Sequence, residues 1–142
     1  MPQYSDDLIK SILRSTKAIA MVGASGNDMR PSYFAMMYLL AKGFIVHPIN
    51  PGMAGKKIQG QTVYGSLKDV PAPVDMVDIF RASDAAPGIV REALAEKDRL
   101  GIKTIWMQLG IVNEDAAQMA REAGLTVIMD RCPKIEYGRL SG

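Results

Sequence analysis

The 142-residue chain holds a single cysteine, Cys132, and a single histidine, His47. A lone cysteine has no intramolecular partner, so no disulfide framework staples the chain, and a structural zinc site, which takes about four Cys or His ligands, is excluded with it. Aromatic residues make up only 6% of the sequence. No apolar run reaches the roughly 18 residues of a membrane-spanning helix. The 17 basic and 15 acidic residues nearly cancel to a net +2, with no basic run, so a nucleic-acid surface has no electrostatic footprint here. Residues 1–15 carry Asp6 and Asp7 and lack the apolar stretch of a signal peptide. These absences lead to the expectation of a cytoplasmic protein with no membrane or nucleic-acid partner. Residues 1–142 are expected to form one domain, long enough to bury roughly two-thirds of the unfolded surface without staples.

What is present is an alternation of two periodicities. Short apolar runs at residues 18–22, 44–49, 74–80, 102–109 and 125–129 read as buried strands. Between most of them lie segments of helical length. Phe34, Met37, Tyr38 and Ala41 recur at helical spacing before a stop at Gly43; Ile89, Val90, Ala93 and Leu94 do so between a cap at Asp84 and a stop at Gly101. Asn113 reads as the N-cap of a helix carrying Ala116, Ala117 and Ala120 and ending at Gly124. A leading helix within residues 1–15 sets Leu8, Ile9, Ile12 and Leu13 on one face. Strands that are apolar throughout have no polar face to turn to water, so they require a parallel sheet covered on both sides. The expected fold is α/β: a Rossmann-like, doubly wound, mainly parallel sheet of five or six strands with helices on both faces. Residues 50–73, rich in Gly and Pro, replace one crossover helix by irregular chain, with a short strand near residues 62–64.

Ligands of such sheets sit beyond the carboxyl ends of the strands, where the strand order reverses. After the first strand come Gly23, Ala24, Ser25 and Gly26, then Arg30, ahead of the next helix. Small residues let a ligand approach the backbone, and a helix amino end favours anions, so this loop suits phosphate. The dinucleotide fingerprint is absent, since Ser25 and Asp28 stand where its later glycines belong. The second strand also ends in His47, Pro48, Ile49, Asn50 and Pro51, with no acidic residue for a nicotinamide nucleotide's ribose. No G-x-x-x-x-G-K-[ST] loop occurs. Arg30, Lys56, Lys57, Arg81, Arg131 and Lys134 all follow strand ends, which suggests a polyanionic ligand, while Asp28, Asp130 and Glu136 on the same rim oppose it. Cys132 reads two ways: as a thiolate made reactive by Arg131 and Lys134, or as a small buried hydrophobe. His47 and Trp106 read as core, and the 10 methionines as packing residues of strands and inward helix faces.

Several ordered blocks carry a further signal: Val22-Gly23-Ala24-Ser25, Arg30-Pro31-Ser32-Tyr33, Pro48-Ile49-Asn50-Pro51, Val74-Asp75-Met76-Val77-Asp78-Ile79-Phe80-Arg81, Trp106-Met107-Gln108-Leu109-Gly110 and Asp130-Arg131-Cys132-Pro133-Lys134. Over residues 15–139 the chain resembles the small stand-alone CoA-binding proteins of bacteria and archaea. These are similar in turn to the CoA-binding domain of the succinyl-CoA synthetase α subunit and of ADP-forming acyl-CoA synthetases. The resemblance implies coenzyme A, or an acyl-CoA, as the ligand. It puts the phosphates on Gly23, Ala24, Ser25 and Gly26 with Arg30, the adenosine end near Asn50, Pro51 and Lys56, and the pantetheine side along Ile79, Phe80 and Arg81, with Cys132 close to the ligand. The synthetases pass phosphate through a histidine on a later domain that this sequence does not contain. The expectation is therefore a binding protein with no catalytic residue and no metal of its own. A partner-dependent subunit sensing CoA or its redox state, and a small nicotinamide-dependent oxidoreductase, stand as alternatives.

Overall fold

In a computed structural model, residues 3–141 are described. Helix α1 (Asp6–Ser15) leads into strand β1 (Ala18–Val22), helix α2 (Pro31–Ala41) and strand β2 (Ile45–Ile49). A hairpin of β3 (Lys57–Ile58) and β4 (Gln61–Thr62) follows, then β5 (Met76–Ile79), α3 (Ala86–Ala95), α4 (Lys97–Leu100), β6 (Thr104–Met107), α5 (Glu114–Glu122), β7 (Thr126–Ile128) and α6 (Pro133–Leu140). The five long strands form one parallel sheet in the order β2-β1-β5-β6-β7. Chain order runs outward from β1 to β2, then crosses to the other side of β1 to lay down β5, β6 and β7. The reversal lies between β1 and β5.

Side chains alternate between two cores because strand residues point to opposite faces. Val22, Val77, Ile79, Ile105 and Met107 meet α3, α5 and the segment around Leu67 and Val70 on one face. Ile19, Met21, Met76 and Trp106 meet α1, α2 and α6 on the other. Trp106 is fully buried and its indole N–H donates to the Arg131 carbonyl at 2.8 Å, so the largest side chain of the core also pins the turn after β7. Ser5 caps α1 by accepting from the Leu8 amide, and Asn113 caps α5 by accepting from the Ala116 amide, as its spacing predicts. Asp84 is not the cap of α3. It lies inside a short 3-10 turn (Ser83–Ala85) that runs straight into the helix, and the neighbouring Ser83 hydroxyl instead accepts from the Val112 amide. Residues 50–73 are held by the hairpin, by two 3-10 turns and by Arg99, whose guanidinium donates to the carbonyls of Leu67, Lys68 and Val70.

Helix α2 corrects the reading of its inner face. Phe34, Met37 and Ala41 are exposed and Tyr38 only half-buried, whereas Ser32, Ala35, Met36 and Leu39 face the sheet. Both sets have the spacing i, i+3, i+4, i+7. The helix is apolar nearly all round, so periodicity alone offers more than one face. Met29 and Met37 are likewise exposed and do not pack as the sequence suggests. The new assignment has a direct check. Leu39→Ala is expected to cost about 2–5 kcal/mol, and Met37→Ala less than about 0.5 kcal/mol, by urea denaturation; comparable losses would reverse it.

Among the described residues Asp78 is the one carboxylate buried at the centre of the sheet. It sits on β5 opposite Met21 of β1 and Trp106 of β6, fully inaccessible, and neither carboxylate oxygen has a hydrogen-bond partner among the described residues. Burial disfavours the charged form and holds its carboxyl well above the ordinary carboxylate range. In the unfolded chain an aspartate ionises above about pH 4. From there upward the unfolded state binds fewer protons than the folded one, so stability falls with rising pH until the folded-state carboxyl also ionises. Relative to wild type, Asp78→Asn should therefore gain stability as the pH rises above about 4, by up to about 1.4 kcal/mol per pH unit. Parallel stability-against-pH curves for the two proteins would refute this.

Candidate functional site

At the carboxyl ends of β1 and β5 the loops part, because the chain leaves β1 toward α2 and β5 toward α3. The gap is a cleft of about 480 Å³. Its floor is Gly23, which takes φ +90° and has no room for a side chain: an added Cβ would lie 3.1 Å from the Phe80 carbonyl carbon and 3.0 Å from the Arg81 Cδ. Glycine is required there on both grounds. The amides of Gly23 and Ala24 are already committed, both donating to the Ile49 carbonyl. Among the described residues no acceptor takes the amides of Ser25 and Gly26, so those two N–H groups are the ones left for a ligand.

Asn50 ties two loops together. Its amide nitrogen donates to the Ala24 carbonyl at 2.9 Å while its carbonyl oxygen accepts from the Gly52 amide at 2.9 Å. Its side chain lines the cleft but is used in holding the loop after β1 against the loop after β2. On the opposite wall Gln108 closes β6. It is 7% exposed, and its Oε1 is buried with no donor among the described residues. A buried carbonyl without a donor costs about 1–3 kcal/mol, and this atom is closed off from the cleft, so a ligand N–H reaches it only if the side chain turns. Phe80, Leu109 and Ile111 make the remaining wall apolar.

The structure gathers eight of the twelve residues expected at the site around this cleft: Gly23, Ala24, Ser25, Arg30, Asn50, Pro51, Phe80 and Arg81. Four lie elsewhere. Gly26, next to Ser25 in the loop, stands against Met53 and is not itself among the lining residues, so of the two free amides it is that of Ser25 that belongs to a lining residue. Ile79 is buried in the sheet and contributes its carbonyl to the Gln108 amide. Lys56 is exposed on the approach to the hairpin, where its backbone pairs with Met53 and Val63. Cys132 is 7% exposed at the start of α6, after a turn that Trp106 and Met107 of β6 hold, and is not among the residues that line the cleft.

The rim of six cations also resolves into two. Arg30 and Arg81 flank the cleft, and no ion pair among the described residues involves either. Arg131 lies over the Tyr4 ring and 3.9 Å from Glu136; Lys134 lies over the Tyr38 ring. Of the opposing acids, Asp130 accepts from the Gly110 amide and Glu136 is held by Arg139. Sequence reasoning missed Pro31, Ser32, Gln108, Leu109 and Ile111 as lining residues. One signal for Gln108 was there: a polar side chain ending an otherwise apolar strand at its carboxyl end. His47 is half-buried on the edge strand, edge-on to Tyr64 at 5.9 Å, and its burial lowers its pKa. Among the described residues no group of His, Cys, Asp or Glu is placed to hold a metal ion, and no helix is long and apolar enough to cross a membrane.

Comparison with known proteins gives this geometry a context. A Bacillus subtilis protein, YneT, is 39% identical over 129 residues, covering 91% of each chain. An ADP-forming acetate–CoA ligase of Archaeoglobus fulgidus is 36% identical over 90 residues, which are 61% of this chain and 12% of the ligase. The solved structure of a hypothetical protein from Pyrococcus horikoshii superimposes with a TM-score of 0.90 at 33% identity, over 100% of both chains. The family model described as a CoA binding domain matches residues 17–138, from the start of β1 into α6, and so spans the whole sheet and the cleft at its reversal. The chain belongs to the CoA binding domain family.

Proposed function

We propose that the protein binds coenzyme A, or an acyl-CoA, in the cleft between β1 and β5, and that it does so without catalysing a reaction of its own. The observation that carries this reading is the conjunction at Gly23: a backbone that a ligand can approach closely, two uncommitted amides just beyond it, and two guanidiniums without a counter-charge on either side. A pyrophosphate satisfies all of these at once, since amides and arginines both form short charge-assisted bonds to phosphate oxygens. Gln108 adds a polar group to the wall. CoA's pantetheine arm carries amide groups, and the side-chain amide of Gln108 is one that can bond them. Phe80, Leu109 and Ile111 offer apolar surface for the rest of that arm.

Support for the non-catalytic part comes from the lining itself. Among the described residues that form the cleft there is no His, Cys, Lys, Asp or Glu, so no side chain is present there to take up a proton at neutral pH or to act as an activated nucleophile. The nicotinamide alternative lacks its ribose-binding acid: β2 ends at Ile49 and is followed by Asn50, whose side chain is spent between Ala24 and Gly52.

The test is a thermal-shift and calorimetry panel of CoA, acetyl-CoA, dephospho-CoA, NAD, NADP and ATP. CoA and acetyl-CoA are expected to raise the melting temperature, as a ligand at about 100 times its Kd adds about 2.7 kcal/mol. NAD is expected not to. Equal stabilisation by NAD would overturn the reading.

Arg81→Ala is the cleaner probe of the loop. Arg81 is exposed and without an ion pair, so its removal should change stability by less than about 0.5 kcal/mol while weakening CoA binding about tenfold to a hundredfold. Gly23→Val should abolish binding but also destabilise the fold, because the new side chain meets positive φ and the Phe80 backbone together. Unchanged CoA affinity in Arg81→Ala, measured by calorimetry, would remove the guanidinium from the site.

A further inference from the structure

The sheet has a second cavity, at the opposite end from the cleft. It has a volume of about 600 Å³ and opens where α1 and α6 meet the amino ends of β1 and β2. Lys10 and Arg14 project into it from α1, Lys17 from the start of β1, and Lys42 from the end of α2. None of these four cations has an ion pair among the described residues, although Lys42 lies over the Tyr38 ring at 5.4 Å, and no Asp or Glu lines the cavity. The nearby Asp75 is engaged with the backbone amides of Lys17 and Ala18, and Asp6 with Arg139. In a chain of net charge +2, four cations around one cavity, with Asp75 the acid beside Lys17, are a local excess of positive charge.

The inner wall is of the opposite character. Leu13, Phe44, Tyr137 and Leu140 line it, with Ile45 at the mouth, 52% exposed on the edge strand. Phe44 and Tyr137 pack edge to face at 5.7 Å, which fixes the back of the cavity. Cations at helix carboxyl ends are ordinary partners of the helix dipole, and Arg14 and Lys42 hold such positions. Lys10, in the body of α1, and Lys17, on the sheet, do not. The carboxyl ends of α1, α2 and α6 also turn backbone carbonyls toward this end of the molecule, which disfavours a multiply charged phosphate deep inside and leaves the anion at the rim.

From this juxtaposition we propose that the cavity is a binding site for an amphipathic monoanion of the fatty-carboxylate class, its head among Lys10, Arg14, Lys17 and Lys42 and its tail on the Phe44–Tyr137 wall. The volume is within the ordinary range for small-molecule sites, about 300–1,000 Å³. At about 30 Å³ for each water-sized group, about 600 Å³ holds roughly twenty such groups, room enough for a carboxylate the size of dodecanoate. The site is separate from the cleft: β1 separates the two, about 16 Å at roughly 3.3 Å per residue. Its failure would leave the CoA reading untouched.

The probe is sodium dodecanoate below its micellar concentration, followed by amide chemical-shift mapping on the full chain and by calorimetry at low and high salt. Shifts are expected at Lys10, Lys17, Phe44 and Ile45, with affinity falling as salt rises. Lys10→Glu/Lys17→Glu should weaken dodecanoate binding at least tenfold and leave CoA binding unchanged. Ile45→Glu, on an already exposed position, should do the same through the tail. Dodecyltrimethylammonium, with the same tail and opposite charge, should not bind there. The proposal is overturned by any of four results: no shifts around the cavity, equal binding of the cationic amphiphile, unchanged affinity in the charge-reversed variant, or shifts confined to Gly23, Ser25 and Arg81. Association with phosphatidylglycerol vesicles without binding of monomeric dodecanoate would also overturn it, in favour of a membrane surface.

Discussion

Strand β1 is hydrogen-bonded on both sides, to β2 and to β5, and every useful feature of the molecule follows from that double pairing. Because β2 is laid down on one side and β5 on the other, the loops leaving β1 and β5 must diverge over opposite faces, and the space between them cannot be filled by either. The gap is a consequence of connectivity. Its chemistry comes from what the five-residue strand delivers to its rim: after the buried run Ala18–Val22, the chain turns at Gly23 in a conformation and at a packing distance that exclude a side chain. Asn50 then holds this turn against the loop after β2 through two hydrogen bonds.

Charge is distributed by the same topology. A parallel sheet exposes two unlike ends, and the basic residues of a near-neutral chain divide between them. At the carboxyl end Arg30 and Arg81 stand beside uncommitted amides, a combination suited to phosphate. At the amino end Lys10, Arg14, Lys17 and Lys42 stand around an aromatic wall among helix carboxyl ends, a combination suited to a single charge on an apolar body. Elsewhere some cations are paired, Arg139 against Asp6 and Glu136, Arg99 against Glu96 and three carbonyls, while others such as Lys68 and Lys103 stand exposed on the surface. The sheet interior shows the reverse case in Asp78, a carboxylate placed where no charge can be solvated.

The sequence alone determined the elements that depend on local rules. Runs such as Ala18–Val22 are apolar on both faces and can only be covered strands; Asn113 caps its helix because its side chain reaches an amide within one turn; Gly23, at the end of the first strand, marked the loop a ligand would approach. Tertiary structure decided whatever required knowing what lies opposite. It chose Leu39 over Met37 as the inner side of α2, since an almost uniformly apolar helix has no preferred face until a sheet covers one. It brought Gln108, directly after β6, to the cleft and kept Lys56 from it, because Lys56 lies past the Pro51–Met53 turn at the start of the hairpin, while Cys132 follows the edge strand β7. And it assembled the cavity at the amino end from Lys10, Lys42 and Tyr137, residues far apart in sequence whose meeting depends on α1, α2 and α6 sharing one face of the sheet.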